Sequence, residues 1–363
     1  MTPPLPAGEV NRRRLALLAL GAAGLVTGLW AGLMRLGAVP AQATPDALVH
    51  GPLMVSGFLG VVISLERAVA ARTGWAWGGP LCCGAGTLCF VAGQPAGGAV
   101  AVALGSAVVV AVLARVALTV PEVHHAVLTL AAVAWLVGNV LLALRLPALD
   151  VVGPWLVFLV GTIAAERLEL TRVLPRARTT VALFLASFSA VFAGGLVLPW
   201  ARDVGMRVFA GGALALAAWL FRHDVARRTV KQSGLTRFIA VALLAGYAWL
   251  AVAGALGLAF GHPLAGPRYD ALLHALFVGF VFSMIFGHAP IILPAVLGVR
   301  LPFHARFYAH LVALHVALVL RVAGDLGGGE ALRRAGAWGN VAAIAAFVGS
   351  SAVAVARRER VSA

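Results

Sequence analysis

Apolar residues in this chain fall into blocks of about 18 to 25, and most of the charged residues lie in the short intervals between them. Twelve such blocks can be placed, at about 14–37, 47–67, 75–93, 97–119, 123–144, 153–171, 179–199, 204–221, 236–260, 269–291, 303–323 and 333–356. At about 1.5 Å of rise per residue, a helix of this length matches a bilayer core of about 30 Å. The pattern therefore predicts an all-α polytopic membrane protein with twelve transmembrane helices. The longest interval, near 222–235, is too short for a soluble domain, so residues 1–363 are expected to form a single integral membrane domain. The first block follows Arg12-Arg13-Arg14 and precedes Ala41-Gln42-Ala43, as a signal peptide would. Its apolar run is longer than a usual signal core, which favours a retained helix.

Composition agrees: 61% of residues are hydrophobic and 11% are charged, more apolar sequence than a soluble core needs. The net charge of +15 would suggest nucleic acid in a soluble protein. Here the cations lie in loops between membrane blocks, so they are topology signals and contacts for lipid headgroups, and the bilayer is the expected partner. With the N-terminus in the cytoplasm, the inner side collects Arg12–Arg14, Arg67, Arg72, Arg115, Arg167, Arg172, Arg176, Arg178, Arg222, Arg227, Arg228, Lys231, Arg237, Arg300, Arg306, Arg357, Arg358 and Arg360. These are 20 of the 28 basic residues, which predicts a multi-pass protein of a bacterial-type inner membrane with both termini cytoplasmic. Cys82, Cys83 and Cys89 share one apolar block and cannot build a disulfide framework. Copper binding by stacked thiols is one role for them, and small apolar packing residues the simpler one.

The blocks repeat. Residues 58–72 and 158–172 share Phe58/Phe158, Leu59/Leu159, Ile63/Ile163, Glu66/Glu166, Arg67/Arg167 and Arg72/Arg172 at an offset of 100. Gly51-Pro52 answers Gly153-Pro154 with a two-residue slip. In the tenth block His274 takes the place of His50, and His288 lies near the place of Glu66 and Glu166. The expected unit is four helices used three times, at roughly 14–119, 123–221 and 236–356, with the second, sixth and tenth helices in equivalent inner positions. Because four is even, the repeat is parallel rather than inverted.

His50 and His274 then fall at similar depth on equivalent helices. Ionisable residues inside a membrane are costly and point to function, and two imidazoles facing each other across a bundle suit the axial positions of a low-spin, b-type haem. The simpler alternative is that each bonds a carbonyl or a water. Arg333-Arg334 open the twelfth block at the depth where the carboxylates of such a group would emerge, with Arg321 a further candidate. His288 lies about 21 Å along its helix from His274 and only about 40° around it. His288, His310 and His315 could hold a second haem or a copper ion, or be separate structural histidines. Of the adjacent His124-His125, one at most should face a shared site. His223, His262 and His304 fall in loops or at helix ends and are expected to be solvated or interfacial. Pro290 and Pro294 predict a kink or break at the end of the tenth helix. Glu66-Arg67 and Glu166-Arg167 fit ion pairs at the inner helix ends or, alternatively, a proton entry point.

The segment HGPLM, His50–Met54, resembles the second-helix motif of haem–copper oxidase subunit I. The spacing His50, Met54, Gly57, Phe58 is similar to that of NnrS-type haem- and copper-containing membrane proteins, as is His274-Ala-Leu-x-Val-Gly. The resemblance implies a twelve-helix bundle of three four-helix arcs, haem ligation by His50 and His274, and carboxylate contacts from Arg333 and Arg334. It implies a redox or nitric-oxide-related role, with quinol-linked electron transfer by a membrane haem oxidoreductase. The sixth and seventh helices lack the histidines an oxidase needs for copper, so conventional oxygen reduction is not expected. Two other classes stay open. One is a small-solute or metal-ion transporter or channel without haem, and the other is a membrane assembly subunit.

Overall fold

The computed structural model describes residues 11–41, 46–173, 177–298 and 303–359. Arg176, Arg300, Arg360 and the Gln42-Ala43 of the cleavage-like motif lie outside them. Every regular element among the described residues is helical. The long segments are α1 (Arg12–Arg35), α2 (Ala47–Ala71), α3 (Gly78–Val91), α4 (Pro95–Thr119), α5 (Val123–Ala143), α6 (Ala148–Leu170), α7 (Arg178–Val197), α8 (Arg202–His223), α9 (Gly234–Phe260), α10 (Pro267–Leu297), α11 (Phe307–Gly327) and α12 (Glu330–Glu359). Among the described residues 11 helices are long and apolar enough to cross a membrane. The one that falls short is α3, with 14 residues after a 3-10 turn at Gly74–Trp77. Large apolar side chains such as Val26, Val100, Leu104, Val316 and Val319 stay exposed along the helices. Such a surface belongs in hydrocarbon, and the chain is an all-α polytopic membrane protein.

Enclosure is uneven. In α6, 83% of the most apolar stretch is buried, in α2 and α10 67%, and in every other spanning helix 56% or less. The second, sixth and tenth helices are thus the innermost. Trp135 of α5 stacks on Phe158 of α6 with ring centres 4.5 Å apart. Behind this pair a buried polar knot joins three helices. The Ser56 hydroxyl donates to Asn139 Oδ1 (2.8 Å), Trp155 Nε1 donates to the same oxygen (3.1 Å), and Trp135 Nε1 donates to Ser56 Oγ (3.0 Å).

Small residues hold α1 against α2. Asn11 caps α1 by accepting the Arg14 N–H. Gly24, Gly28 and Gly32 then follow at four-residue spacing, the pattern that lets membrane helices approach closely. A Cβ at Gly24 would stand 3.2 Å from the backbone of Gly57, one at Gly28 would stand 2.8 Å from Met54 Sδ, and one at Gly32 would stand 2.8 Å from His50 Cε1.

Both α2 and α10 carry π-helical segments, at Leu53–Leu59 and Ala275–Phe282. The Gly60 N–H reaches back five residues to Val55 O. Each segment begins within three residues of a histidine, His50 or His274. π turns are rare and often mark functional sites. The break expected at the prolines does not occur. α10 runs through Pro290 and Pro294 to Leu297 and stops at Gly298, whose φ of 76° suits glycine. Packing against neighbouring helices keeps a spanning helix intact where proline removes single hydrogen bonds.

Candidate functional site

His50 enters α2 from a 3-10 turn, Ala47–Val49, that Asp46 caps through its Oδ1 and the Leu48 N–H (2.9 Å). His274 sits about two turns into α10, which Pro267 opens at a position where a missing N–H costs nothing. The two imidazoles face one another, with ring centres 6.2 Å apart and planes 19° from parallel. His50 Nδ1 lies 2.7 Å from Gly28 O. His274 Nδ1 lies 2.9 Å from Asp270 O and 3.2 Å from Asp270 Oδ1. Oxygens of carbonyl and carboxylate groups only accept, so each Nδ1 carries the hydrogen and each Nε2 keeps its lone pair. That tautomer is the one metal-binding histidines adopt.

Both rings line a cavity of 960 Å³. Leu29, Leu33, Met54, Phe277, Val278 and Phe282 give it apolar walls, and Arg35, Arg145, Arg321, Arg333, Asp270 and Asn340 give it polar points. Arg321 grips Asp270 through two bonds, Nε to Oδ2 at 2.7 Å and Nη2 to Oδ1 at 2.9 Å. Arg333 Nε stands 2.8 Å from the fully buried carboxylate of Asp325. Arg334 turns away, pairs with Glu330 at 2.6 Å and does not line the cavity. Of the two adjacent arginines singled out by the sequence, only Arg333 belongs to the site. Arg35 and Arg145 line the cavity without an ion pair among the described residues. Asn340 donates to Leu314 O (2.9 Å), but its buried Oδ1 has no partner among the described residues.

The other histidines are not gathered. His288 Nδ1 bonds Met284 O (2.8 Å), and its ring lies within electrostatic reach of Glu166, Arg167 and Asp224. His315 accepts the indole N–H of Trp249 (3.0 Å), and His310 lies against the rings of Phe307 and Phe347. Among the described residues no group of three or more His, Cys, Asp or Glu side chains is placed to hold a metal ion. At the same end Arg67 of α2 pairs with Glu166 of α6, Arg167 is buried, and Tyr247 donates to Asp224 (3.1 Å), which also accepts the Ala226 N–H (2.6 Å). Glu66 makes no ion pair among the described residues. His124 is buried 3.8 Å from Glu169, and only His125 is partly exposed, as their different helical faces require. Cys83 is a buried free thiol packed against Gly105, and Cys82 and Cys89 are also unpaired.

His262 departs from expectation. It is 7% exposed rather than solvated, it lies near the Leu149 backbone, and neither ring nitrogen makes a hydrogen bond of good geometry among the described residues. Burial holds its pKa below the ordinary imidazole range. The loop Gly261–Gly266 folds it beneath Tyr269, whose ring lies 5.8 Å away. Sequence reasoning also passed over Asp270, Arg35, Arg145 and Asn340. Asp270 left a signal, since an acid four residues before a histidine shares its helical face. The other three did not, because only tertiary packing brings them to the cavity.

No curated protein and no solved structure matches the chain. A family model described as a domain of unknown function, DUF8744, matches residues 14–356, and the chain belongs to that family.

Proposed function

We propose that the cavity between α2 and α10 holds a haem, with His50 and His274 as its axial ligands, and that the protein works in membrane redox chemistry. The observation that carries this is the histidine pair: two rings 6.2 Å apart, each with Nδ1 tied to an oxygen and Nε2 left for a metal. Metal–nitrogen bonds of about 2.0 Å, each extended by a ring radius of about 1.1 Å, place two imidazole centres about 6.2 Å apart across one ion. The surroundings fit the group. Apolar walls suit a macrocycle. Arg35, Arg145 and Arg333 are cations for its carboxylate arms.

A bound haem supplies one-electron chemistry at iron. The chain's contribution is to hold both imidazoles in one tautomer, to keep bulk water off the ring faces and to balance charge at the rim. Two protein ligands favour electron transfer, with a membrane quinol as donor class. A nitric-oxide-related role requires one histidine to leave first. Two pairs support equivalence of α2 and α10. His50 faces His274, and Phe58 faces Phe282 at 6.0 Å, each pair separated by the same 224 positions. We extend this to three four-helix units with α3 as the remaining crossing. Its 14 residues rise about 21 Å, and the preceding four-residue 3-10 turn adds about 8 Å. Both termini then lie in the cytoplasm. A reporter fused after Ala363 should read cytoplasmic, and a signal from the opposite side overturns the twelve-span topology.

The test of the cofactor is an absorption spectrum of the purified protein, oxidised and dithionite-reduced, with a pyridine haemochrome assay. Sharp reduced α and β bands at near-stoichiometric haem are expected. Absence of haem after expression with ample haem supply overturns the assignment and leaves transport without haem as the reading to pursue.

A further inference from the structure

The two histidines are held differently. His50 Nδ1 faces one neutral acceptor, the carbonyl of Gly28, at 2.7 Å. His274 Nδ1 faces two of the three Asp270 oxygens, the carbonyl at 2.9 Å and the carboxylate Oδ1 at 3.2 Å. The same carboxylate takes two bonds from Arg321, which is 9% exposed. Asp270 and His274 are one helical turn apart on α10, and Arg321 comes across from α11. One carboxylate therefore fixes the imidazole of α10 and the guanidinium of α11 together. A carboxylate behind a ligating histidine raises the basicity of the nitrogen that faces the metal, and a cation behind the carboxylate lowers it again.

We propose that Asp270 is a positioning residue, which orients His274 and makes it the stronger electron donor of the axial pair, with Arg321 limiting how much negative charge the imidazole feels. The proposal rests on the haem assignment above. Asp270 touches neither the iron nor a substrate, and it acts through His274. Its signature is electronic as well as structural. Removing the carboxylate charge favours the reduced iron, which carries one positive charge fewer. Removing the cation exposes the full carboxylate to His274 and favours the oxidised iron. The two substitutions must therefore move the reduction potential in opposite directions.

The experiment is a spectroscopically monitored redox titration of the purified full-length protein with its haem, comparing the unaltered chain with Asp270→Asn, Asp270→Glu and Arg321→Gln. The expected result for Asp270→Asn is a tenfold shift of the one-electron equilibrium towards the reduced form, about 59 mV. Arg321→Gln should shift it several-fold the other way, and Asp270→Glu should lie near the unaltered protein. Low-temperature electron paramagnetic resonance of the ferric state should show low-spin g values that change in Asp270→Asn and in Arg321→Gln and stay near those of the unaltered protein in Asp270→Glu. If Asp270→Asn fails to retain haem, the opposite-signed shift in Arg321→Gln still decides. Haem in every variant with the potential unmoved, or shifts of the same sign in Asp270→Asn and Arg321→Gln, overturns the role of Asp270 and leaves the haem assignment standing. An unaltered protein without haem overturns both.

Discussion

The two ends of the α2–α10 pair are built from similar residue types to opposite effect. At the end that carries His50 and His274, polar groups surround a cavity of 960 Å³, and among the described residues Arg35 and Arg145 make no ion pair and Asn340 Oδ1 has no hydrogen-bond partner. At the end that carries Arg67 and His288, several polar groups answer one another: Arg67 with Glu166, Tyr247 with Asp224, Asp224 with the Ala226 N–H, and His288 with Met284 O, while Arg67 Nε and His124 Nε2 lack a hydrogen-bond partner among the described residues. The cavity beside Glu122, His124 and Arg172 there measures only 70 Å³. Buried polar groups are costly unless paired. Where the packing leaves little space the charges can meet only one another, and where space and unpaired groups remain together there is room for the ligand proposed above. The difference lies in the room left around the charges, not in their number.

That comparison can be broken most directly at His50. His50→Ala should abolish essentially all low-spin haem absorption while the protein remains in the membrane, and an unchanged reduced spectrum would sink the ligand assignment. Next is Gly32, where an added Cβ would stand 2.8 Å from His50 Cε1 and 2.9 Å from its Nδ1. Gly32→Ala should displace the imidazole, lower haem occupancy several-fold and cost about 1–3 kcal/mol in stability, measured by haem content and thermal unfolding in detergent. At the opposite end Arg67→Met should cost only about 1 kcal/mol, because Glu166 is partly exposed and solvent screens it. Its haem spectrum should be that of the unaltered protein, and a shifted Soret band would mean the two ends are coupled. The smallest effect is expected at His262. Its pKa is lowered in the folded state, so the stability it contributes is present above the unfolded value of about 6.5 and is lost as pH falls below it. His262→Gln should flatten thermal stability between about pH 7 and pH 5. A slope unchanged by the substitution assigns the acid sensitivity elsewhere.

Much of the fold was legible because membrane solvent leaves the chain few choices. The block at about 14–37 became Arg12–Arg35, and that at 123–144 became Val123–Ala143. The matched Glu-Arg pairs of the second and sixth blocks also met, through Arg67 and Glu166. Hydropathy does not encode how a helix is wound, so the π-helical segments of α2 and α10 left no trace in it. Of the kink or break expected at Pro290 and Pro294, the break is absent, since proline's cost in an isolated helix differs from its cost inside a bundle. His262 was misplaced because a loop was equated with exposure. At the cavity, the facing of His50 and His274 was expected from their similar depth, whereas Arg35 and Arg145 come from helix ends far apart in sequence. No local pattern distinguishes them from other arginines that end a helix.

The π-helical segments have one more consequence, in helical phase. Each takes up one residue beyond what an α-helix would use over the same turns, so everything after it is rotated by about 100° relative to everything before. In α2 this uncouples the azimuth of His50 from that of Arg67, and in α10 that of His274 from that of His288. Each helix can then aim its two ends at different neighbours. A one-residue deletion within 53–59 would restore plain α winding and close the helix more regularly, yet one end would be turned off its target. For this architecture, length is as much a part of the site as residue identity.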